Sequence, residues 1–149
     1  MTHPQRRLFA RLGLVALIVA STASFAAPAP KVDASASNKV VFQVSDGDPA
    51  KWNLVLNNMR NLQADVGESD VALELVVFGP GIGMLKGDSP VATRVAETLK
   101  TGARVVACQN TMKGQKLVEA DMLPGIGYVP SGVVEVMRKQ QQGYAYLRP

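Results

Sequence analysis

The sequence predicts an α/β fold, a three-layer sandwich in which helices cover both faces of a mainly parallel five-stranded sheet. The first observation behind this prediction is that short, β-branched apolar runs alternate with amphipathic stretches from residue 39 to residue 149. The second is that these runs are nearly continuous, which indicates strands covered on both faces, as the strands of parallel sheets are. Strands and helices that alternate at these lengths favour parallel strands joined by right-handed crossovers.

The most regular part of the pattern predicts a strand followed by a long helix. Residues 40–44 form the first nearly continuous apolar run. Asp48 and Pro49 then supply a helix N-cap and a first-turn proline, and Gly67 marks the end of the helix. Between them, apolar side chains recur at spacings of three and four and predict one face turned to the core: Trp52, Val55, Leu56, Met59, Leu62 and Val66.

A glycine-rich segment follows the second predicted strand, residues 72–78. Residues 79–87 are predicted to form a non-helical loop because of their glycine content. They do not match the nucleotide-binding pattern G-x-G-x-x-G, because Met84 stands where the third glycine is required. The remaining interpretations are a long loop at the active face and a contact between subunits, with Met84 and Leu85 inserted into a neighbour.

The rest of the chain continues the alternation of helices and strands. Ser89 and Pro90 begin a helix that Gly102 ends. Its predicted inward side chains are Ala92, Val95, Ala96 and Leu99. The elements that follow are a strand at residues 104–108, a short helix near residues 113–120, a strand at residues 126–129, a helix capped by Ser131 that carries Val133, Val134 and Met137, and a strand at residues 144–147.

The first 26 residues have the layout of a cleaved secretory signal. Arg6, Arg7 and Arg11 precede a short apolar run, and Ser24 and Ala26 occupy the −3 and −1 positions of the predicted cleavage site. The run is short for a membrane span, so an uncleaved N-terminal anchor is the less favoured alternative. The arginine pair matches a twin-arginine signal only in part, which favours ordinary secretion. We therefore expect a bacterial protein exported to the periplasm, without membrane association after cleavage.

Cleavage after Ala26 divides the chain into a signal (residues 1–26), a flexible tether (residues 27–38) and a folded domain (residues 39–149). The tether is small and polar and has no apolar period. Three of the 16 Lys and Arg residues lie in the signal, which leaves 13 basic against 12 acidic side chains and a net charge of +1. The basic balance of the whole chain is therefore no indication of nucleic-acid binding.

The expected mature chain has no histidine, because the single one is His3, and it has one cysteine, Cys108. This composition excludes Cys/His zinc sites, Ser-His-Asp triads and Cys-His dyads built from this chain alone, and no metal or cofactor is predicted. It also excludes an internal disulfide, so the stability must come from the core. A chain of about 120 residues buries roughly two-thirds of its unfolded surface, which is sufficient.

In open α/β sheets, ligands bind outside the carboxyl ends of the strands. This rule brings four separate segments to one predicted rim: residues 45–48, 78–80, 108–111 and 130–132. Asp46 and Asp48 could act there as an acid/base pair, but an aspartate before proline more commonly caps a helix. Cys108 is the only residue of the rim with nucleophilic chemistry at neutral pH.

Cys108 is predicted at the end of the third strand, directly before a helix N-terminus. The free amides and the positive dipole end at such a position favour thiolate over thiol, and Lys113 is expected to add to this effect. The functional interpretation is a thiol of low pKa that accepts a group and passes it on. The alternative is a buried cysteine that packs as a small hydrophobe, as most free cysteines do.

Three segments of the sequence resemble the DsrE/DsrF-like family: residues 107–112 (Ala-Cys-Gln-Asn-Thr-Met), residues 129–133 and the closing residues 142–149. The order of elements agrees from residue 39 to residue 149, so the resemblance implies a flavodoxin-like, DsrE-like α/β domain. The better-understood relatives are cytoplasmic sulfur-relay subunits that carry a persulfide on one cysteine and assemble as multimers, often trimers or hexamers. Cys108 falls at the position of that cysteine. The resemblance therefore implies a sulfur carrier or sulfurtransferase-like protein that forms a homo-oligomer.

The segment after the cysteine departs from the family pattern. In the relay subunits, mostly small apolar residues lead to an arginine pair before a glycine, whereas here polar residues from Gln109 onward lead to Lys113 and Gly114. The predicted export also separates this chain from cytoplasmic partners. The sulfur donor and the sulfur acceptor are therefore open.

Three functions are compatible with these residues. The first is a periplasmic persulfide carrier or sulfurtransferase, in which the Cys108 thiolate attacks a sulfane sulfur, holds it as a persulfide and yields it to a second thiol. Asn110, Thr111 and the backbone amides near Ser131 and Gly132 would then steady the incoming anion. The second is a non-catalytic module of the same fold that binds a small ligand or a neighbouring subunit, and the third is a thiol redox sensor.

Overall fold

The computed structural model describes residues 38–149 as an alternation of strands and helices. In chain order the elements are β1 (Asn38–Val44), α1 (Pro49–Val66), β2 (Val71–Val77), α2 (Ala92–Lys100), β3 (Arg104–Cys108), α3 (Gln109–Gly114), β4 (Gly127–Val129), α4 (Gly132–Gln141) and β5 (Ala145–Leu147), with short 3-10 helices at Gly79–Leu85 and Glu119–Asp121. The predicted signal and the predicted tether up to residue 37 lie outside the described residues. Asn38, predicted as the last tether residue, instead opens β1 and pairs with Val71.

The strands form one sheet in the order β4-β3-β2-β1-β5, and every strand pair is parallel. From β1 to β4 the chain adds each strand on the same side, so right-handed crossovers place α1 and α2 on one face. The return from β4 to β5 runs in the opposite direction and places α4 on the other face. The predicted α/β sandwich is confirmed, and each strand agrees with its predicted bounds to within two residues.

The larger core lies between the sheet and α1 with α2, and it confirms most of the predicted stripe of α1. Trp52 and Met59 are buried, but Val66, predicted to face the core, is 38% exposed. Gln63 takes an inner position in the last turns instead. The hydroxyl of Thr101 donates to Gln63 Oε1 at 3.0 Å, so the buried amide is hydrogen-bonded and the apolar stripe ends early.

The glycine-rich segment is helical, contrary to the prediction of a loop. Residues Gly79–Leu85 form a 3-10 helix, whose first turn accommodates Pro80 because the N–H groups there need no helical partner. Met84 and Leu85, considered above as an insertion into a neighbour, are fully buried in the core of this chain. The burial of these side chains outweighs the weak helix propensity of glycine.

Two other helices start at positions that differ from the prediction. α2 begins at Ala92 rather than at Ser89, and Ala96, predicted to face inward, is exposed. The short helix predicted near residues 113–120 begins at Gln109 instead, directly after β3. Its N-cap residue is Cys108, which is not one of the usual capping residues, so no sequence signal marked the start.

α4 covers the second face of the sheet with an unusual distribution of side chains. The small core beneath it consists of Val41, Val76, Val106, Val129 and Val136. The residues of α4 that face the sheet are Gly132, Val136 and Lys139, which share one side of the helix because of their spacing of four and three. The apolar side chains that the sequence assigned to this helix are largely exposed: Val133, Val134 and Met137. α4 therefore presents more apolar surface outward than inward.

Candidate functional site

The carboxyl ends of β2, β3 and β4 bring the predicted rim residues together around Cys108. Cys108 ends β3 and is also the N-cap residue of α3. The backbone amide of Asn110 donates to the Pro130 carbonyl at 3.2 Å, which joins the start of α3 to the segment before α4. The backbone amide of Gly79 donates to Thr111 Oγ1 at 2.9 Å, which joins α3 to the segment after β2. The thiol therefore lies where three chain segments meet.

Cys108 is only 5% exposed, and hydrogen-bond donors surround its sulfur. Burial raises the pKa of the Cys108 thiol. Hydrogen bonds from the Thr111 side chain and from the backbone amides of Gly132, Thr111 and Asn110 together lower the pKa by more than burial raises it, so the pKa lies below its ordinary value. Donors of this kind stabilise the charged form of the group that accepts them. The arrangement therefore favours a thiolate, which is the nucleophilic form of cysteine.

The backbone donors belong to the first turns of two helices, α3 and α4. The N-terminal amides of a helix lack acceptors within the helix and carry a partial positive charge. In α3 the Asn110 amide is shared between the sulfur and the Pro130 carbonyl, whereas in α4 the donor is Gly132, the first residue of the helix. The thiol therefore lies directly before a helix N-terminus, as predicted, and a second helix, α4, contributes another backbone donor.

The Thr111 hydroxyl is oriented by the Gly79 amide. Because Gly79 N–H donates to Oγ1, the hydroxyl proton is free to be donated to the sulfur. Gly79 has φ +56°, in the left-handed region that favours glycine, and its carbonyl accepts a hydrogen bond from Gln115 Nε2 at 3.3 Å. The glycine-rich segment therefore contributes to the thiol site through the Gly79 amide, which orients the Thr111 hydroxyl.

Gly132 is required at the start of α4 for a steric reason. A Cβ at this position would lie 2.7 Å from Phe78 Cδ1, closer than the non-bonded contacts that Cβ atoms make in proteins. The missing side chain lets the first turn of α4 pack against Phe78, which follows β2. The same approach brings the Gly132 amide to the thiol.

Lys113 and Ser131 lie at the margin of this arrangement. Lys113 is exposed in the last turn of α3, at the opposite end of the helix from Cys108. Ser131 caps α4 by position, but its side chain makes no capping hydrogen bond, and its carbonyl accepts from the Glu135 amide at 3.0 Å. Anion binding by these two residues and by the exposed Asn110 side chain stays a prediction.

The two aspartates of the rim have structural partners. Asp48 Oδ1 accepts a hydrogen bond from the Ala50 amide at 2.8 Å, as expected of a helix cap. Asp46 lies 3.3 Å from both Lys51 Nζ and Arg148 Nη2. The hydrogen bond from Lys51 outweighs partial burial and, together with that from Arg148, lowers the pKa of Asp46. A carboxylate held ionised in this way is poorly suited to act as a general acid.

Sequence reasoning placed Phe78 and Gly79 at the rim without assigning them a role, and it did not single out Glu74. Phe78 needs a glycine opposite it, and Gly79 orients a hydroxyl, so both roles depend on contacts between distant segments. Glu74 is a buried acid on the sheet face beneath α4. The sequence contained an indication that Glu74 is unusual, because it is the one charged residue in the apolar run of residues 71–77.

Within residues 38–149, no three His, Cys, Asp or Glu side chains are grouped so that they could hold a metal ion. Nor does this part of the chain contain a helix with the length and hydropathy of a membrane span.

Comparisons with known proteins identify a family for this chain and solved structures that share its fold. A family model described as the DsrE/DsrF-like family matches residues 38–149. A protein of unknown function from Methanobacterium thermoautotrophicum is 36% identical, with a TM-score of 0.72, over 75% of this chain and 99% of that chain. The fold is shared by a conserved protein of unknown function from Bacteroides thetaiotaomicron (17% identity, TM-score 0.64, 78% and 98% of the two chains) and by the ychN protein from E. coli (16%, 0.61, 75% and 99%). No curated protein matches the chain.

Proposed function

The chain belongs to the DsrE/DsrF-like family, and on that premise we propose that it is a periplasmic sulfur carrier or sulfurtransferase-like protein that forms a persulfide on Cys108. Family membership supports a function related to sulfur relay. The observation that carries the proposal is the environment of the thiol, where one hydroxyl and three backbone amides donate toward a buried sulfur. Such an environment supports a reactive thiolate rather than an inert thiol.

The proposed transfer consists of two displacements and needs no external oxidant or reductant. The Cys108 thiolate attacks the outer sulfur of a donor persulfide or polysulfide, R–S–S⁻. A new S–S bond forms, the S–S bond of the donor breaks, and R–S⁻ leaves with the electron pair. An acceptor thiolate then attacks the outer sulfur of the Cys108 persulfide, and Cys108 leaves as a thiolate. A lowered thiol pKa favours this second step, because thiols of lower pKa leave faster.

Intact-mass spectrometry of the purified protein tests the proposal directly. The chain has one cysteine, so a sulfur adduct that reductant removes must lie on Cys108. After incubation with polysulfide or thiosulfate we expect a mass increase of whole sulfur atoms, and no increase in the Cys108→Ser control. A thiol that stays unmodified in the native protein, and reacts only after unfolding, would overturn the proposal.

Export to the periplasm is a separate part of the proposal. It is supported by the signal-like pattern of the first 26 residues. Expression of the full chain in a bacterium, followed by fractionation and mass measurement, is expected to yield a periplasmic protein that begins at Ala27. A protein recovered from the cytoplasm with residues 1–26 attached would contradict this location.

The burial of Cys108 favours a second candidate, a non-catalytic binding or assembly module. A cysteine that is 5% exposed is typical of free thiols that pack as small hydrophobes. In that case Cys108→Ala would leave ligand binding, oligomer size and melting behaviour nearly unchanged, and iodoacetamide would not reach the native thiol. The redox sensor stays a prediction, which reversible oxidation of Cys108 with a change in activity would support.

We also propose a homo-oligomer, a trimer or hexamer, in which a second copy covers the outer face of α4. Val133, Val134 and Met137 are 63%, 37% and 47% exposed on that face. Grouped apolar side chains on a surface mark an interaction site. Parallel sheets are moreover covered on both faces. On this face of the sheet the covering helix is α4, which has ten residues.

A further inference from the structure

We propose that the buried ion pair between Glu74 and Lys139 positions the first turn of α4 against the Cys108 thiol. Glu74 lies on β2 beneath α4 and is 1% exposed, and Lys139 Nζ lies 2.8 Å from its Oε2. Lys139 follows Gly132, whose amide donates to the thiol, by seven residues. About 10 Å of rigid helix therefore connects the ion pair to that donor.

Apart from the contact of Gly132 with Phe78 at its first turn, little else defines the position of α4 on the sheet. Gly132, Val136 and Lys139 are its buried residues, and Val136 is the one that contributes an apolar side chain to the core beneath. Hydrophobic contact is non-directional, so a single valine does not determine how far the helix slides or rotates. A charge-assisted hydrogen bond is short and directional, so it does determine the position of the helix on the sheet.

The side chain of Lys139 connects the second half of α4 to Glu74 on β2 and to the Tyr144 ring. Its ammonium group contacts Glu74 and also lies 4.9 Å from the centroid of the Tyr144 ring. Its backbone carbonyl accepts a hydrogen bond from the Tyr144 amide at 3.0 Å. At the other end of the helix, Gly132 packs against Phe78. A helix held at both ends keeps the Gly132 amide at a defined place beside the thiol.

The chemistry of the pair indicates a role in position rather than in stability. Arg104 Nη1 lies 3.4 Å from Glu74 Oε2, so both cations contact the same oxygen. Within the described residues Glu74 Oε1 is buried without a hydrogen-bond partner. Burial, and to a smaller extent the neighbouring Glu135 carboxyl, raise the pKa of Glu74, and Lys139 and Arg104 only partly offset that rise. Apolar residues of similar volume are often more stable than a buried pair of this kind, which leaves defined geometry as its contribution.

The experiment measures the rate of Cys108 alkylation by iodoacetamide as a function of pH in the purified full chain. The variants are Lys139→Met, which keeps an apolar stem and lets Glu74 take up a proton, and Glu74→Gln, which keeps the shape of the acid. We expect the thiol pKa to rise by about 0.5 unit or more in both. Below that pKa, the alkylation rate then falls about threefold, because the rate follows the thiolate fraction.

Two controls separate positioning from general loss of stability. Val95→Ala weakens the core on the opposite face, where Val95 is fully buried, and is expected to leave the thiol pKa unchanged. The double variant Glu74→Leu with Lys139→Met restores an apolar interior and is expected to recover stability but not the thiol pKa. Three results would overturn the proposal. They are recovery of both stability and the thiol pKa in the double variant, an equal rise of the thiol pKa in Val95→Ala, and an unchanged thiol pKa in single variants that remain folded.

This positioning role rests on the thiol site of the proposed function but not on sulfur transfer. The alkylation assay contains no sulfur donor, so the two ideas can fail separately. A pKa shift in the variants, together with a wild-type protein that takes up no sulfur, would retain the positioning role and remove the carrier function.

Discussion

The backbone amide of Gly79 donates a hydrogen bond of 2.9 Å to the hydroxyl oxygen of Thr111. This contact crosses from the segment after β2 to α3 and leaves the hydroxyl proton for the Cys108 sulfur. The ionisation of the thiol therefore depends on two segments that are far apart in the sequence and meet at the end of the sheet.

Removal of the Thr111 hydroxyl is expected to weaken the thiolate. Thr111→Val should raise the thiol pKa by about one unit, because a hydrogen bond to a charged group contributes roughly 1.5–3 kcal/mol and one unit corresponds to about 1.4 kcal/mol. Thr111→Ser keeps the hydroxyl and serves as the control, with a pKa close to wild type. Iodoacetamide rates measured against pH give both values. The same pKa in the valine and serine variants would show that the hydroxyl is not a donor to the sulfur.

A methyl group at Gly132 is expected to separate α4 from the sheet. The new Cβ would lie 2.7 Å from Phe78 Cδ1, so Gly132→Ala should destabilise the protein by about 1–3 kcal/mol and raise the thiol pKa. Gly114→Ala is the matched control, because no atom lies within 4 Å of a Cβ built there, and it should be neutral or slightly stabilising. Urea unfolding and thiol alkylation measure the two effects. Wild-type behaviour of Gly132→Ala would mean that the close packing on Phe78 is not needed.

The lowered pKa of Cys108 makes folding stability dependent on pH. Between the folded and the higher unfolded pKa, the unfolded state binds more protons, so stability rises with pH and the thiolate contribution is lost as pH falls through the folded pKa. Cys108→Ala removes this contribution. The free energy of unfolding of the wild type, relative to that of the variant, should therefore increase as the pH rises from the lowered pKa of the folded thiol toward the unfolded value of about 8.5. Urea titrations under reducing conditions test this, and a difference that stays constant with pH would contradict the lowered pKa.

A charge on the outer face of α4 is expected to disrupt the proposed oligomer. Met137 is 47% exposed there, and Met137→Glu should reduce the assembly to smaller species by placing an unpaired carboxylate in an apolar contact. Leu54→Glu is a matched control, because Leu54 is an apolar residue of α1 with 45% exposure. Size-exclusion chromatography with light scattering measures the mass. A monomeric wild type, or equal dissociation by both variants, would remove α4 as the interface.

The sequence by itself determined the elements that depend on local signals. The nearly continuous β-branched runs predicted the strands to within two residues, because a strand between two helical layers is apolar on both sides whatever its neighbours are. Asp48 and Pro49 predicted the start of α1 because the cap acts within one helical turn. The same local reasoning placed Cys108 at the end of a strand.

Only the tertiary structure decided which side of α4 faces the sheet. The apolar pattern indicated Val133, Val134 and Met137, yet Gly132 and Lys139 face inward. Phe78 leaves space for glycine alone, and Glu74 on β2 supplies the partner for a buried ammonium group. The donors to the thiol were decided in the same way, because amides from α3 and α4 and a hydroxyl oriented by Gly79 converge only after the strands have paired. Periodicity reports the average environment of a residue, whereas steric fit and ion pairing depend on which distant residue becomes its neighbour.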